Sequence, residues 1–187
     1  MIGNAIAGLY GVGVTPSTTA YESIATTTVG SGGSASITFS SIPSTYTHLQ
    51  VRYTSRSDSA GINQTLFRIN SDTGSNYSSH LLYGDGSGVA AGSYTTDNYS
   101  RAGLQGGPSL TTGIFGVGVI DILDYKNANK YKTIRTLSGI DANGSGYVWY
   151  TSSNWRSTSA ITSLTFFSEN GNFIQNAQYA LYGIKGA

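Results

Sequence analysis

Apolar and polar residues alternate with a period of two along most of the chain after Tyr21, which predicts half-buried β-strands. The clearest examples are residues 35–39 and residues 49–54. Further strands are expected at Thr65–Ile69, Ser78–Tyr83, Tyr94–Leu104, Ile114–Leu123, Tyr131–Leu137, Tyr147–Trp155, Ile161–Phe167 and Gln178–Ile184. The segment 114–123 is apolar on both faces until Asp121, so it is expected to be a central strand covered on both sides.

Turn-forming residues separate these segments and set the fold class. Gly-rich stretches lie at residues 30–33 and 84–86, and Asn-Gly pairs at 143–144 and 170–171 indicate hairpins because both residues tolerate a positive φ. About ten strands without a helical period predict an all-β fold, an antiparallel β-sandwich of the jelly-roll type. One short helical turn is expected near Asp124–Lys130.

Residues 1–20 differ from the predicted sandwich domain, residues 21–187. The first 14 residues carry no charged side chain, and four glycines interrupt them. They lack the basic start and the long apolar run of a secretory signal, and they are shorter than a membrane span. The sequence therefore predicts an extended apolar arm that anchors the domain to a partner or to sister subunits, and a frayed terminus is the competing interpretation. Its anchor residues would be Ile2, Ile6, Leu9, Tyr10, Val12 and Val14.

Composition narrows the classes of function. The 187 residues include no cysteine, which excludes disulfides, thiolate nucleophiles and Cys-ligated zinc. Only 10% of the residues are charged and the net charge is +1, so the chain lacks the basic surface that a nucleic-acid backbone requires. We expect a single domain that binds no nucleic acid, inserts into no membrane and needs no cofactor.

Candidate catalytic chemistry is sparse. His48 and His80 fit no zinc motif, and no nucleophile elbow accompanies them, so both are interpreted as structural. Asp72 and Asp85, with loop carbonyls, are the candidates for a calcium site, although their loops lack EF-hand spacing. Asp121 stands in an apolar strand, where pairing with Arg135 or Arg52 is expected. The sequence therefore predicts a protein that is not an enzyme.

Aromatic residues give the alternative to a purely structural role. Tyr94, Tyr99, Trp149 and Trp155 are the candidates for stacking on a sugar, since amphipathic rings suit carbohydrate contact. Packing in the core or at a subunit interface is the competing interpretation of the cluster at residues 147–156. Alternation places Tyr147 and Trp149 on one face of their strand, opposite Val148 and Tyr150.

Several short strings occur together in a fixed order along residues 21–187. They are Tyr21-Glu-Ser-Ile-Ala-Thr26, Ser41-Ile-Pro-Ser-Thr-Tyr46-Thr-His-Leu49, Asp72-Thr-Gly-Ser-Asn-Tyr77, Leu82-Tyr-Gly-Asp-Gly86, Asp121-Ile-Leu-Asp-Tyr125 with Asn129-Lys-Tyr-Lys-Thr133, and Ala180-Leu-Tyr-Gly-Ile-Lys185. As a set they resemble small structural proteins of tailed bacteriophages that infect marine and freshwater bacteria, cyanobacteria included.

The resemblance implies a jelly-roll-like module on the surface of the virion, either a capsid decoration protein or a component of a tail fibre or spike. The resemblance assigns no catalytic residue to this chain. Virion surface proteins of this kind bury strand edges and arms against sister copies, so a homo-oligomer, with a trimer favoured, and other capsid or tail proteins are the expected partners. A carbohydrate-binding module that recognises host surface glycans is the alternative, and a glycan hydrolase or esterase is the third.

Overall fold

The structure, a computed structural model, describes residues 20–186, and its regular elements are all β-strands. No helix able to span a membrane is found within this range. The strands are β1 (Tyr21–Thr28), β2 (Ser36–Phe39), β3 (His48–Ser55), β4 (Asn63–Ile69), β5 (Tyr77–Gly84), β6 (Val89–Asp97), β7 (Ser100–Gln105), β8 (Gly116–Ile122), β9 (Lys132–Asp141), β10 (Gly146–Trp155), β11 (Leu164–Ser168) and β12 (Gln178–Ile184).

The strands form two antiparallel sheets of unequal size. The larger sheet has eight strands in the order β1-β12-β3-β8-β9-β10-β5-β6, and the smaller has four in the order β2-β11-β4-β7. The prediction of an all-β antiparallel sandwich is therefore confirmed. The jelly-roll connectivity is not confirmed by this strand order. The arm and its six anchor residues precede residue 20 and lie outside the described residues.

The core lies between the two sheets and is rich in aromatic rings. Phe166 of β11 stacks on Phe67 of β4 and lies 5.0 Å, centroid to centroid, from Tyr179 of β12. Tyr179 in turn stacks on Tyr53 of β3 at 5.2 Å. The Tyr53 hydroxyl donates to the Ala102 carbonyl at 3.2 Å, so a core residue also ties the two sheets together with a hydrogen bond.

The smaller sheet covers only part of the larger one. Its edge strand β7 packs over β8, β9 and β10 and touches β5 more lightly. The inner faces of β3, β8, β9 and β12 are consequently buried, with Leu49, Val51, Ile120 and Leu181 all fully covered. The larger sheet extends past the smaller one at the end formed by β10, β5 and β6. Its inner face remains open there.

Three expectations about individual segments require correction. Residues 94–104 are not one strand, because the chain turns at Asn98 and Tyr99 and passes from β6 in the larger sheet to β7 in the smaller. Strand β8 is central, but it is covered on one face only, since Val117 and Val119 are 50% and 36% exposed on the other. Residues 124–130 form a hydrogen-bonded turn rather than a helix.

Candidate functional site

An open cleft lies where the overhanging end of the larger sheet meets the edge of the smaller sheet. Its volume is about 630 Å³, and its lining includes Tyr83, Tyr94, Tyr147 and Trp149. Clefts of several hundred Å³ that combine aromatic walls with a few polar groups are the usual form of a ligand site. This aromatic cleft is the candidate functional site.

The aromatic wall follows directly from strand register. Trp149 of β10 is the cross-strand partner of Tyr83 in β5, so both rings project from the same face of the sheet. Their centroids lie 5.3 Å apart with an 18° interplanar angle. Tyr147 precedes Trp149 by two residues and therefore shares its face, and its ring meets Tyr83 edge-on at 6.0 Å. The three rings form one half-buried amphipathic surface.

Polar side chains enter the cleft from the smaller sheet. Asn63 and Gln64 belong to β4, and Glu169 follows the end of β11. The backbone N–H of Glu169 donates to the Gln64 carbonyl at 2.9 Å, which fixes the two residues side by side. Within residues 20–186 the Glu169 carboxylate accepts no hydrogen bond and forms no ion pair, so it is free to accept one from a ligand.

Arg101 of β7 holds two parts of the cleft in place. Its guanidinium is nearly fully buried and donates to Gln64 Oε1 at 2.7 Å and to Asp97 Oδ2 at 3.0 Å. It also stacks over the Tyr94 ring, 3.5 Å from the centroid. Because Asp97 neutralises the charge, Arg101 orients Gln64 and Tyr94 without making the cleft strongly cationic.

Arg56 fixes the loop that closes one end of the cleft. Its side chain is buried and donates to the backbone carbonyls of Leu110 at 3.0 Å and Ile114 at 2.6 Å. Leu110 lies in the cleft lining. A guanidinium satisfied by carbonyl oxygens in this way makes the loop a defined wall of the site.

The four predicted stacking residues separate in the structure. Tyr94 and Trp149 line the cleft. Trp155 is only 2% exposed and belongs to the core, and Tyr99 packs edge-on against Phe167 outside the cleft. The period-two pattern already placed Tyr147 beside Trp149. Tyr83 was missed, because its position depends on the β5–β10 pairing, which no local signal in the sequence reveals.

The calcium candidates lie far apart and serve their own turns. Asp72 and Asp85 flank opposite ends of strand β5. The Asp85 carboxylate accepts the backbone N–H groups of Ser87 and Gly88, and these hydrogen bonds hold its pKa below the usual value. Among residues 20–186 no group of three or more potential metal-ligating side chains occurs. The structure therefore provides no support for a shared calcium site.

Asp121 and both histidines lie outside the cleft. Asp121 pairs with Arg135 at 2.9 Å, which is one of its two expected partners, and it also accepts from Gln50 Nε2 at 2.8 Å. His48 Nδ1 accepts the Asp124 backbone N–H at 2.9 Å, as a structural histidine does. His80 is exposed on β5, on the face opposite the cleft.

Comparison of the chain with protein-family models, with curated proteins and with solved structures gave no significant match. The resemblance to phage structural proteins therefore stays a prediction, and the aromatic cleft is known only from its own geometry.

Proposed function

We propose that this protein is a non-enzymatic binding module and that its aromatic cleft binds a neutral saccharide. The observation that carries the proposal is the joined surface of Tyr83, Trp149 and Tyr147 beside the polar groups of Gln64 and Glu169. The apolar face of a sugar ring stacks on such aromatic surfaces, while its hydroxyl groups need hydrogen-bond acceptors and donors at the edge.

The charge of the cleft supports a neutral ligand. Glu169 lacks a counter-ion in the described part of the chain, so it would repel an anionic sugar and accept hydrogen bonds from hydroxyl groups. Glycoside hydrolysis requires two carboxyl groups across the scissile bond. Glu169 is the one carboxylate in the described cleft lining, which supports binding over hydrolysis.

The test is titration of the full chain with neutral and anionic oligosaccharides, followed by calorimetry and by tryptophan fluorescence. Trp149→Ala and Tyr83→Ala are each expected to weaken binding at least about tenfold, because stacking on an aromatic ring is lost. Tyr131→Ala is the matched control, since Tyr131 is an exposed tyrosine next to Lys132, which pairs with Trp155 at the opposite end of β10 from the cleft. A glycan array without any signal at millimolar saccharide, or an unchanged affinity in Trp149→Ala, would refute the proposal.

We also propose that the module is a structural protein of a phage virion, displayed as a capsid decoration or as part of a tail fibre or spike. Its sequence strings support this role, and so does the exposed apolar surface of the larger sheet, which an assembly would bury against another chain. On a tail, the cleft would serve attachment to host glycans. Mass spectrometry of purified particles of the encoding phage tests the proposal: hundreds of copies indicate a capsid decoration, a few dozen or fewer a tail component, and none contradicts it.

A further inference from the structure

The outer face of the larger sheet, which points away from the core, carries a continuous apolar surface. Val117 and Val119 of β8, Leu137 of β9 and Val148 and Tyr150 of β10 contribute to it. Leu82 of β5 and Val89 of β6 extend it toward the sheet edge. We call these seven residues the outer patch. Leu137 and Val148 are 56% and 64% exposed, so large apolar side chains stand in solvent at the centre of the sheet.

Strand register makes the outer patch continuous. Val119 pairs with Leu137, Leu137 with Tyr150, and Tyr150 with Leu82, which forms one row across four strands. A second row begins with Val117 and passes through Gly139 to Val148. The next row along the strands is polar and contains the Asp121–Arg135 ion pair. The outer patch therefore has a sharp polar boundary on this side.

Gly139 opens a groove within the outer patch. It has no side chain between Val117 and Val148, its neighbours on either side. The resulting groove has a volume of about 460 Å³, and its lining includes Leu137. A groove of this kind accepts apolar side chains that approach from a partner.

The size of the outer patch indicates which kind of partner can cover it. Five strands at about 4.8 Å spacing and two rows of side chains give a surface of roughly 20 by 10 Å. A stable face-to-face dimer buries about 800 Å² on each partner, which is several times this area. A single extended segment of about seven residues, at about 3.3 Å per residue, has the matching length.

The chain contains a segment with the matching chemistry. Residues 2–14 are uncharged and rich in Ile, Leu and Val, and their glycines allow close approach to a flat sheet. We propose that residues 2–14 of a sister copy of this chain pack across the outer patch, with an apolar side chain in the groove at Gly139. The proposal rests on the assembly role proposed for the arm and names its binding surface.

The position of β1 favours a sister copy over the chain's own segment. Strand β1 is at the edge of the sheet, four strand positions or about 19 Å from Gly139. Gly139 is also level with Thr28 at the far end of β1, through the pairs Thr28–Gln178, Gln178–Thr54, Thr54–Val117 and Val117–Gly139, so the groove lies a further seven residues or about 23 Å along the strands from Tyr21. Residues 15–20 span at most about 22 Å when fully extended. For the chain's own segment to reach Val148, part of residues 2–14 would have to bridge this distance instead of packing on the outer patch. A segment from a neighbouring copy has no such restriction, and exchange of this kind joins copies either reciprocally in a dimer or head to tail in a ring.

The absence of cysteine from the sequence allows a direct test by disulfide trapping. Full-length Val12→Cys and Val148→Cys chains are mixed and oxidised with oxidised glutathione. We expect a linked dimer at a yield at least tenfold above that of Val12→Cys mixed with Thr38→Cys, the control on β2 of the smaller sheet. Adding Leu137→Asp to the Val148→Cys chain should reduce the yield at least tenfold while circular dichroism stays unchanged.

Three outcomes would overturn the proposal. The Val12→Cys/Val148→Cys double variant could close on itself as a monomer at high dilution, which would show that the chain's own segment covers the outer patch. Val148→Cys chains could couple with each other faster than with Val12→Cys, which would show face-to-face stacking. Equal yields with Val148→Cys and Thr38→Cys would show no docking at all. The copy count in particles tests the virion role separately, so its failure is distinguishable from each of these.

Discussion

Strands β5 and β10 carry two Tyr–Trp pairs in the same register, one at each end. Tyr77 pairs with Trp155, and Tyr83 pairs with Trp149 six residues away along both strands. Both pairs are stacked, with centroids 6.5 Å and 5.3 Å apart. Yet Tyr77 and Trp155 are buried, whereas Tyr83 and Trp149 form the wall of the aromatic cleft.

The difference comes from the smaller sheet and from the polar partners of the rings. At the buried end Trp155 Nε1 donates to Asp72 at 2.7 Å, and the Tyr77 hydroxyl accepts from the Ile69 backbone N–H at 3.0 Å. At the open end, among the residues that the structure describes, Trp149 Nε1 donates only to Thr151 of its own strand. The same two residue types thus stabilise the fold where a second layer covers them and offer a binding surface where it does not.

The largest expected effect separates the two tryptophans. Trp155→Ala removes a buried ring and should lower the free energy of unfolding by about 3–5 kcal/mol. Trp149→Ala removes a half-buried ring at an open cleft, and we expect a loss of about 1 kcal/mol, because water can fill the space. Urea unfolding of both variants measures the two losses. Equal losses would mean that the cleft is part of the core.

Two glycines test the same contrast in the backbone. A Cβ on Gly118 of β8, beneath the smaller sheet, would lie 2.4 Å from the Tyr53 ring. Gly118→Ala should therefore destabilise the protein by about 1–3 kcal/mol through overpacking. In the overhanging part, a Cβ on Gly84 would meet its nearest atom at 3.6 Å, an ordinary contact. Thermal unfolding should place Gly84→Ala within about 0.5 kcal/mol of the parent protein.

The sequence predicts the sheets better than it predicts the site, and these elements show why. Period-two alternation locates strands such as 49–54 and puts Tyr147 and Trp149 on one face, because alternation is a local property. Whether that face is core or cleft depends on how far the smaller sheet extends, which is a matter of long-range pairing. The same limit explains β8, whose apolar outer side chains led to the expectation of cover on both faces.

Asp72 makes the stability of the buried Tyr77–Trp155 end depend on pH. Burial opposes its ionisation, but hydrogen bonds from Trp155, Asn76 and the Gly74 N–H outweigh this and lower the pKa of its carboxyl group below 3.8. A carboxyl whose pKa is lower in the folded state stabilises the protein above the unfolded pKa, and the contribution is lost as pH falls through the folded value. Asp72→Asn should cost about 1–2 kcal/mol at pH 7. Unfolding measured between about pH 2 and 7 should show a shallower acid decline for the variant, and parallel curves would contradict this role.

The smallest expected effect concerns two hydroxyl groups. The buried Tyr77 hydroxyl also donates to the Asp72 carbonyl at 3.2 Å, and burial raises its pKa to about 12. Tyr77→Phe should cost about 1 kcal/mol, because it leaves the Ile69 N–H without its partner. Within residues 20–186 the Tyr83 hydroxyl has no hydrogen-bond partner, so Tyr83→Phe should leave the unfolding free energy unchanged while weakening saccharide binding a few-fold. A loss of stability in Tyr83→Phe equal to that in Tyr77→Phe would assign Tyr83 to the fold instead of the binding surface.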